Sequence, residues 1–300
     1  MRALITGGHG FVGRHLQEHL ESCGDVVSIF DLPHDITDYE AVRAAFADAQ
    51  PEAIYHLAAL SHVGTSWLNP GAVVSVNVLG TTNILAAARE VVPEATVLFV
   101  SSADVYGPRT PDEMPLSESV VPQPASPYAA SKLAGEVFAQ QAVRGFGQRV
   151  IIARPFNHVG PGQSPAFFVP GITARMVEAT KNGSGEIAVG NLTSRRDFTD
   201  VRDVVRAYRG LVTQGVTGEV YVVASGRDVS MQEIADELRS LVNPQLGFVE
   251  DPSLLRPVDV PLLRGDSSKL EAATGWRPET PWSETLADIV ADATNASESN

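Results

Sequence analysis

The turn Thr6-Gly7-Gly8-His9-Gly10-Phe11-Val12-Gly13 constrains this chain more than any other stretch. Ala3-Leu4-Ile5 before it is a short apolar run, and a helical pattern follows it to about Ser22. The glycines satisfy two spacings at once, Gly7-x-x-Gly10-x-x-Gly13 and Gly8-x-Gly10-x-x-Gly13. Strand, glycine turn and helix in that order let the backbone approach a pyrophosphate whose charge sits at the helix N-terminus. Such a start points to an α/β sheet in which strands and helices alternate.

The alternation continues. Val26-Val27-Ser28-Ile29-Phe30 reads as a second strand and ends at Asp31. An acid at that place accepts the adenine-ribose hydroxyls and repels a 2′-phosphate, so NAD(H) is favoured over NADP(H), which stays possible. Asp35 and Ile36, before a helix near Asp38, are candidates for the adenine pocket. Ala53 to Leu57 is a third strand opening into Ala58-Ala59, small residues suited to a nearby cofactor. A loop from Leu60 to Pro70 precedes a helix from about Val76 to Val91. Thr96 to Val100 delivers Ser101-Ser102-Ala103-Asp104, and Val150 to Ala153 delivers Arg154-Pro155-Phe156-Asn157. Ligands bind doubly wound parallel sheets beyond the strands' carboxyl ends, where Gly10, Asp31, Ala58, Ser102 and Asn157 all fall.

Between the last two strands, Ser126-Pro127-Tyr128-Ala129-Ala130-Ser131-Lys132 opens a helix. Residues i and i+4 share a helix face, so the Tyr128 phenol and the Lys132 ammonium lie on one side. A nearby cation stabilises phenolate and lowers a tyrosine pKa from about 10. A Tyr so tuned exchanges a proton with a carbonyl or an alcohol.

After Asn157 the texture becomes Gly/Pro-rich and marks a crossover. The pattern suggests a dinucleotide-binding domain from residues 1–159 with 200–229. Residues 160–199 with 230–291 suggest a second, smaller α/β lobe, and 292–300 a polar, disordered tail. The chain of 300 residues carries a formal charge of −14, from 36 acidic against 22 basic side chains. That surface disfavours nucleic acid and anionic membranes, and an anionic ligand needs clustered Arg. One cysteine, Cys23, excludes an internal disulfide framework and fits a reducing cytoplasm. The seven scattered His suggest no metal site, and no signal stretch or membrane span is evident.

Together these motifs resemble the extended short-chain dehydrogenases/reductases that act on nucleotide-sugars, over nearly the whole chain. The resemblance implies that Gly7, Gly10, Phe11, Val12, Gly13, Asp31, Leu57, Ala58, Ala59 and Pro155 serve NAD(P), with Asp35 and Ile36 beside the adenine. It implies Ser102, Tyr128 and Lys132 as the catalytic set, Tyr128 and Lys132 also touching cofactor. Ser61-His62-Val63, Phe156-Asn157-His158-Val159-Gly160-Pro161-Gly162-Gln163, Gly190-Asn191-Leu192, Arg196-Asp197-Phe198 and Leu255-Arg256-Pro257-x-Asp259 are most similar to the GDP-mannose branch. Its members are 4,6-dehydratases and reductases of their keto products. Reduction of a nucleotide 4-keto-6-deoxyhexose, GDP-4-keto-6-deoxy-D-mannose to GDP-D-rhamnose, is the implied activity, with a 4,6-dehydratase or 4-epimerase holding NAD as the alternative. Ser61, His62, Ser102, Asp104, Asn157, Asn191, Arg196, Arg256 and Asp259 are the implied substrate contacts, and a homodimer is the implied assembly. Asp259 stands where the branch has Glu, one methylene longer. Arg196 suits a diphosphate or pairs with Asp197 or Asp200, and His62 and His158 suit ligand contact or packing equally.

Overall fold

The structure is a computed structural model that describes residues 1–254 and 260–298. The chain opens β1 (Arg2–Thr6), α1 (Phe11–Ser22), β2 (Val26–Phe30), α2 (Tyr39–Ala49) and β3 (Ala53–His56). It continues α3 (Val63–Ser66), α4 (Pro70–Val74), a π-helical turn at Ser75–Leu79, α5 (Gly80–Val91) and β4 (Thr96–Val100). After two 3₁₀ turns come α6 (Pro127–Phe146), β5 (Val150–Pro155), β6 (Asn157–Val159), α7 (Phe168–Lys181), β7 (Glu186–Val189) and β8 (Arg195–Asp200). The remainder is α8 (Val201–Gln214), β9 (Val220–Val223), β10 (Asp228–Ser230), α9 (Met231–Val242), β11 (Gly247–Glu250), β12 (Leu262–Leu263), α10 (Ser268–Thr274) and α11 (Trp282–Glu298).

β2-β1-β3-β4-β5-β9 form one six-stranded sheet, and every pair in it is parallel. Its strands are buried on both faces, as βαβ crossovers require. One face packs Leu16 and Leu20 of α1 and Val204, Tyr208 and Leu211 of α8. The other packs Val42 and Phe46 of α2, Ile84 of α5 and Ala139 of α6. A third core joins α7, α9 and α11 through Ile172, Met176, Ile234, Leu238, Leu286 and Ile289.

Several expectations change on contact with the structure. The charged stretch Arg195–Asp200, to which the sequence pattern assigns no strand, is a strand. It pairs in parallel with β6 and β12 and antiparallel with β10. The Gly/Pro-rich stretch after Asn157 thus begins with paired backbone, and Asn157 sits opposite Phe198. The helix expected from Val76 starts at Pro70, because the Asn69 side chain caps it by accepting from the Ala72 amide. The run Pro70–Val91 is then long and apolar enough, by length and composition, to cross a membrane; here it packs on α2 and α6. Residues 292–298, polar enough to suggest disorder, continue α11 because its apolar face at Leu286 and Ile289 is already held by α7 and α9. α10 packs on α8 and β9, with Leu270 and Trp276 buried in the first core, although its place in the chain suggests the second lobe. Arg256 and Asp259 lie outside the described residues.

One carboxylate stitches the lobe to the sheet. Asp197 of β8, fully buried, accepts from the Ser225 amide (2.8 Å) and hydroxyl (2.6 Å), the Gly226 amide (2.9 Å) and the Gly265 amide (3.2 Å). Ser225 and Gly226 follow β9, so three segments distant in sequence meet at one side chain.

Gly135 sets how closely α6 lies on the sheet. A Cβ there meets the buried Phe99 ring of β4 at 2.4 Å. Helix propensity gains about 1 kcal/mol from replacing glycine, but a branched side chain at this contact costs about 2–3 kcal/mol in displaced packing. Gly135→Val therefore lowers the unfolding free energy, which a urea titration measures.

Candidate active site

The glycine turn closes onto the sheet's carboxyl edge. The Gly7 amide donates to the Phe30 carbonyl (3.0 Å) and the Gly10 amide to the Gly7 carbonyl (3.2 Å). Gly7 has φ +74°, and a Cβ on it meets Ala58 backbone at 2.9 Å. A Cβ on Gly13 meets the Gly7 carbonyl oxygen at 2.4 Å. Side chains at either place fill the cradle, so the glycines leave backbone open at the N-terminus of α1. Phe11 and Val12 are half-buried in the first turn of α1.

Asp31 stands at the lip of that cradle. Its carboxylate accepts from the His9 amide (2.8 Å) and the Leu32 amide (2.8 Å). The acid is thereby fixed between the end of β2 and the glycine turn. Asp35 is exposed, its carboxylate accepting from the Thr37 amide at 2.8 Å. Ile36 is buried among Val42, Phe46 and Ile84 and lies directly under Gly80, where a Cβ meets it at 2.4 Å; core packing is the contact seen for it.

The Ser126 hydroxyl accepts from the Ala129 amide (3.1 Å) and Pro127 occupies the first turn, so α6 starts where the sequence suggests. Tyr128 and Lys132 are both buried. The Ser102 hydroxyl lies beside the Tyr128 phenol and favours its ionised form. Lys132 Nζ donates to the Val100 carbonyl at 2.9 Å, anchoring the ammonium at the end of β4 just before Ser102. Burial pushes the Tyr128 phenol above its ordinary pKa, and the Asp104 carboxylate pushes the same way; the Ser102 hydroxyl opposes both. The sequence suggests a pKa lowered by Lys132, and the structure reverses that direction, because desolvation outweighs the rest. Burial pushes Lys132 down to about 8, with Glu136 opposing.

Asp104 is exposed in the 3₁₀ turn Ala103–Tyr106, whose N-cap is the Ser102 hydroxyl accepting from the Asp104 amide at 3.1 Å. Ala103 is buried with Tyr106, Leu116 and Phe156. Leu57, Ala58 and Ala59 are half-buried at the end of β3, and Pro155 is buried in β5.

A buried polar chain ties the glycine turn to α6, and no sequence pattern announced it. The Thr81 hydroxyl donates to the Asn77 carbonyl (2.6 Å), so it accepts from His56 Nε2 (2.9 Å). His56 Nδ1 is then the acceptor for the Thr6 hydroxyl (2.8 Å), which accepts from the Ala58 amide (3.3 Å). Asn77 Nδ2 donates to Ser131 Oγ (2.9 Å), and Ser131 Oγ donates to the Tyr128 carbonyl (2.7 Å). Asn77 sits in the π-helical turn and also grips both backbone groups of Leu60, at 2.8 and 3.1 Å.

On the lobe side the contacts are looser. His62 Nδ1 accepts from the Thr65 amide (3.1 Å) and its ring meets Phe167 edge-on at 6.1 Å, while Ser61 is exposed. His158 stacks on Phe11 at 6.2 Å, with burial holding its pKa below the usual value, which favours the packing alternative for it. Asn191 accepts from the Thr193 amide (2.9 Å) and hydroxyl. Arg196 is half-buried and donates to the Arg195 carbonyl (2.8 Å). Asp197 spends its oxygens on backbone and Ser225, and Asp200 pairs with Arg202.

Fold and site together define a doubly wound dinucleotide-binding protein with Ser, Tyr and Lys gathered at the carboxyl edge of its sheet. A family model for GDP-mannose 4,6 dehydratase matches residues 29–289, and the chain belongs to that family. GDP-6-deoxy-D-mannose reductase of Pseudomonas aeruginosa is 35% identical over 295 residues, covering 97% of this chain and 96% of that one. GDP-6-deoxy-D-talose 4-dehydrogenase of Aggregatibacter actinomycetemcomitans is 32% identical over 279 residues and 90% of each chain. The solved structure of RMD from Pseudomonas aeruginosa complexed with NADPH superposes with a TM-score of 0.91 at 34% identity, covering 99% of this chain and 100% of that one.

His56 carries a testable consequence. Burial pushes it down to about 3 from an ordinary 6.5, so the native state holds it neutral while the unfolded state protonates it. That stability is complete above about pH 6.5 and is lost as pH falls toward 3. His56→Gln should reduce the slope of unfolding free energy between about pH 6 and 4 by about one proton, or about 1.4 kcal/mol per pH unit. Denaturant titrations across that range measure it.

Proposed function

We propose that this protein is an NAD(P)H-dependent reductase of the C4 ketone of a nucleotide 4-keto-6-deoxyhexose, converting GDP-4-keto-6-deoxy-D-mannose to GDP-D-rhamnose. The observation that carries the reading is the buried pair Tyr128 and Lys132, one turn apart on α6, with the Lys132 ammonium held by the Val100 carbonyl at the strand end that bears Ser102. The glycine cradle fits a dinucleotide, which when bound supplies the hydride. Gly7, Gly10, Phe11, Val12 and Gly13 hold its pyrophosphate, and Asp31 takes its adenine-ribose hydroxyls. Tyr128, kept protonated at neutral pH by burial, gives its proton to the forming alkoxide. Ser102 donates a hydrogen bond to the same oxygen. Lys132 orients the nicotinamide ribose and stabilises the phenolate left behind. Asn157, Arg196 and Asn191 line the lobe side for the nucleotide-sugar, and Arg256 and Asp259 are proposed with them.

Asp104 separates this reading from the dehydratase alternative. In the 4,6-dehydratases a Glu two residues after the Ser or Thr, at times with an Asp just before it, moves the protons of water loss. Here Ala103 is buried and carries no acid, and Asp104 is one methylene shorter, about 1.5 Å. A placement error near 1 Å costs about 10²-fold in rate. Purified protein should oxidise one reduced nicotinamide per GDP-4-keto-6-deoxymannose and leave GDP-mannose unchanged. Catalytic dehydration of GDP-mannose without added cofactor would sink the reading. Tyr128→Phe should lose about 10²–10⁴ in turnover while still binding cofactor.

NADH should serve at least as well as NADPH, because the Asp31 carboxylate accepts ribose hydroxyls and repels a phosphate. Asp31→Ala should shift the ratio of kcat/KM values toward NADPH by about tenfold. A strong wild-type preference for NADPH contradicts the role given to Asp31. The single cysteine supports a cytoplasmic setting. Exposed Val137, Phe138 and Phe146 on α6, beside Leu79, support a homodimer through α5 and α6, which sedimentation tests.

A further inference from the structure

Beneath Lys132 lies a buried ion pair that the proposed chemistry does not use. Glu136, one turn beyond Lys132 on α6, accepts from Arg154 Nε at 2.9 Å and Arg154 Nη2 at 2.7 Å. Both side chains are about 5% exposed. The Ser101 hydroxyl donates to Glu136 Oε1 at 2.5 Å. Arg154 Nη1 donates to the Tyr106 hydroxyl at 3.2 Å, and its guanidinium lies over that ring at 5.0 Å. The Tyr106 hydroxyl passes its own proton to the Ser117 carbonyl at 3.0 Å.

The pair therefore joins three parts of the site. Ser101 is the residue before Ser102 at the end of β4, Arg154 ends β5, and Glu136 belongs to the helix that carries Tyr128 and Lys132. A buried ion pair contributes little net stability compared with apolar packing of the same shape. Its bidentate geometry and the Ser101 bond do fix where α6 sits over β4 and β5.

We propose that Glu136 is a positioning residue: held by Arg154 and Ser101, it sets α6, and with it Tyr128 and Lys132, against the strand that bears Ser102. This rests on Tyr128 and Lys132 being the proton-handling pair. The groups facing that pair are Glu136 on α6, Asp104 in the turn after β4, neutral His56 on β3 and Tyr208 on α8, with Arg154 of β5 on the far side of Glu136. Burial lowers Lys132 to about 8, and Glu136 is the charge that opposes the fall. Removing that charge drops the Lys132 pKa. For ketone reduction that change moves the alkaline limb of the kcat profile to lower pH.

The test is the pH dependence of kcat for nicotinamide-dependent reduction in Glu136→Gln, Glu136→Asp and the pair Glu136→Gln/Arg154→Met. Glu136→Gln should move the alkaline limb down by about one pH unit, while cofactor dissociation at pH 6.5 stays within about threefold of wild type. Glu136→Asp should restore the limb. The double variant leaves no orphaned cation in the core, and because it removes the opposed Arg154 charge as well, its limb should lie between those of wild type and Glu136→Gln. A folded Glu136→Gln whose limb stays within about 0.3 unit of wild type overturns the proposal. Failure of both Gln-bearing variants to fold assigns the pair to stability and overturns it too. Lys132→Met and Tyr128→Phe run alongside. If they keep full turnover, the proton-handling reading fails; if they lose it while the Glu136→Gln limb is unmoved, only the role of Glu136 fails.

Discussion

Parallel pairing is the constraint on which this molecule depends. Every contact in the six-stranded sheet runs the same way, so β1 to β5 all end on one edge. Parallel strands require helical crossovers, and these bury both faces of the sheet. Polar and reactive side chains are left one place to gather. Gly7, Asp31, Ala58, Ser102 and Pro155 belong to five strand ends far apart in the chain. The fold brings them to one edge.

Much of this was legible in the sequence because it rests on local rules. A glycine turn between an apolar run and a helix, and a Ser-Pro start before Tyr128 and Lys132, are read within a dozen residues. The charged strand Arg195–Asp200 was not legible. Its stability comes from partners at Asn157, Asp228 and Leu262 rather than from its own pattern. The extension of α11 was hidden for a similar reason, since packing elsewhere on the helix outweighs the polarity of its end. The direction of the Tyr128 shift was misread because spacing reveals a nearby cation but not the depth of burial. Glu136 stands four residues after Lys132 and was visible as such. What the spacing could not show is that the register of α6 over β5 places Arg154 against it.

Electrostatics divides the protein into two regimes. The surface carries the excess of acid, and many half-buried Arg side chains are absorbed in local pairs, such as Arg202 with Asp200 and Asp288. Inside, the Glu136, Asp197 and Asp203 carboxylates are each held by several donors. His56 stays neutral in one tautomer, which the Thr81 hydroxyl dictates by giving its own proton to Asn77.

Asp197 bears on how the molecule comes apart. Its acceptors gather amides that follow β9 and precede α10, so the smaller lobe is knotted to the last strand of the large sheet at a point closed to water. Releasing that knot exposes a carboxylate and three amide donors together, and no intermediate opening satisfies them in part. The two regions therefore share one cooperative unit. Heating or denaturant should meet a single unfolding event instead of a lobe that peels away first.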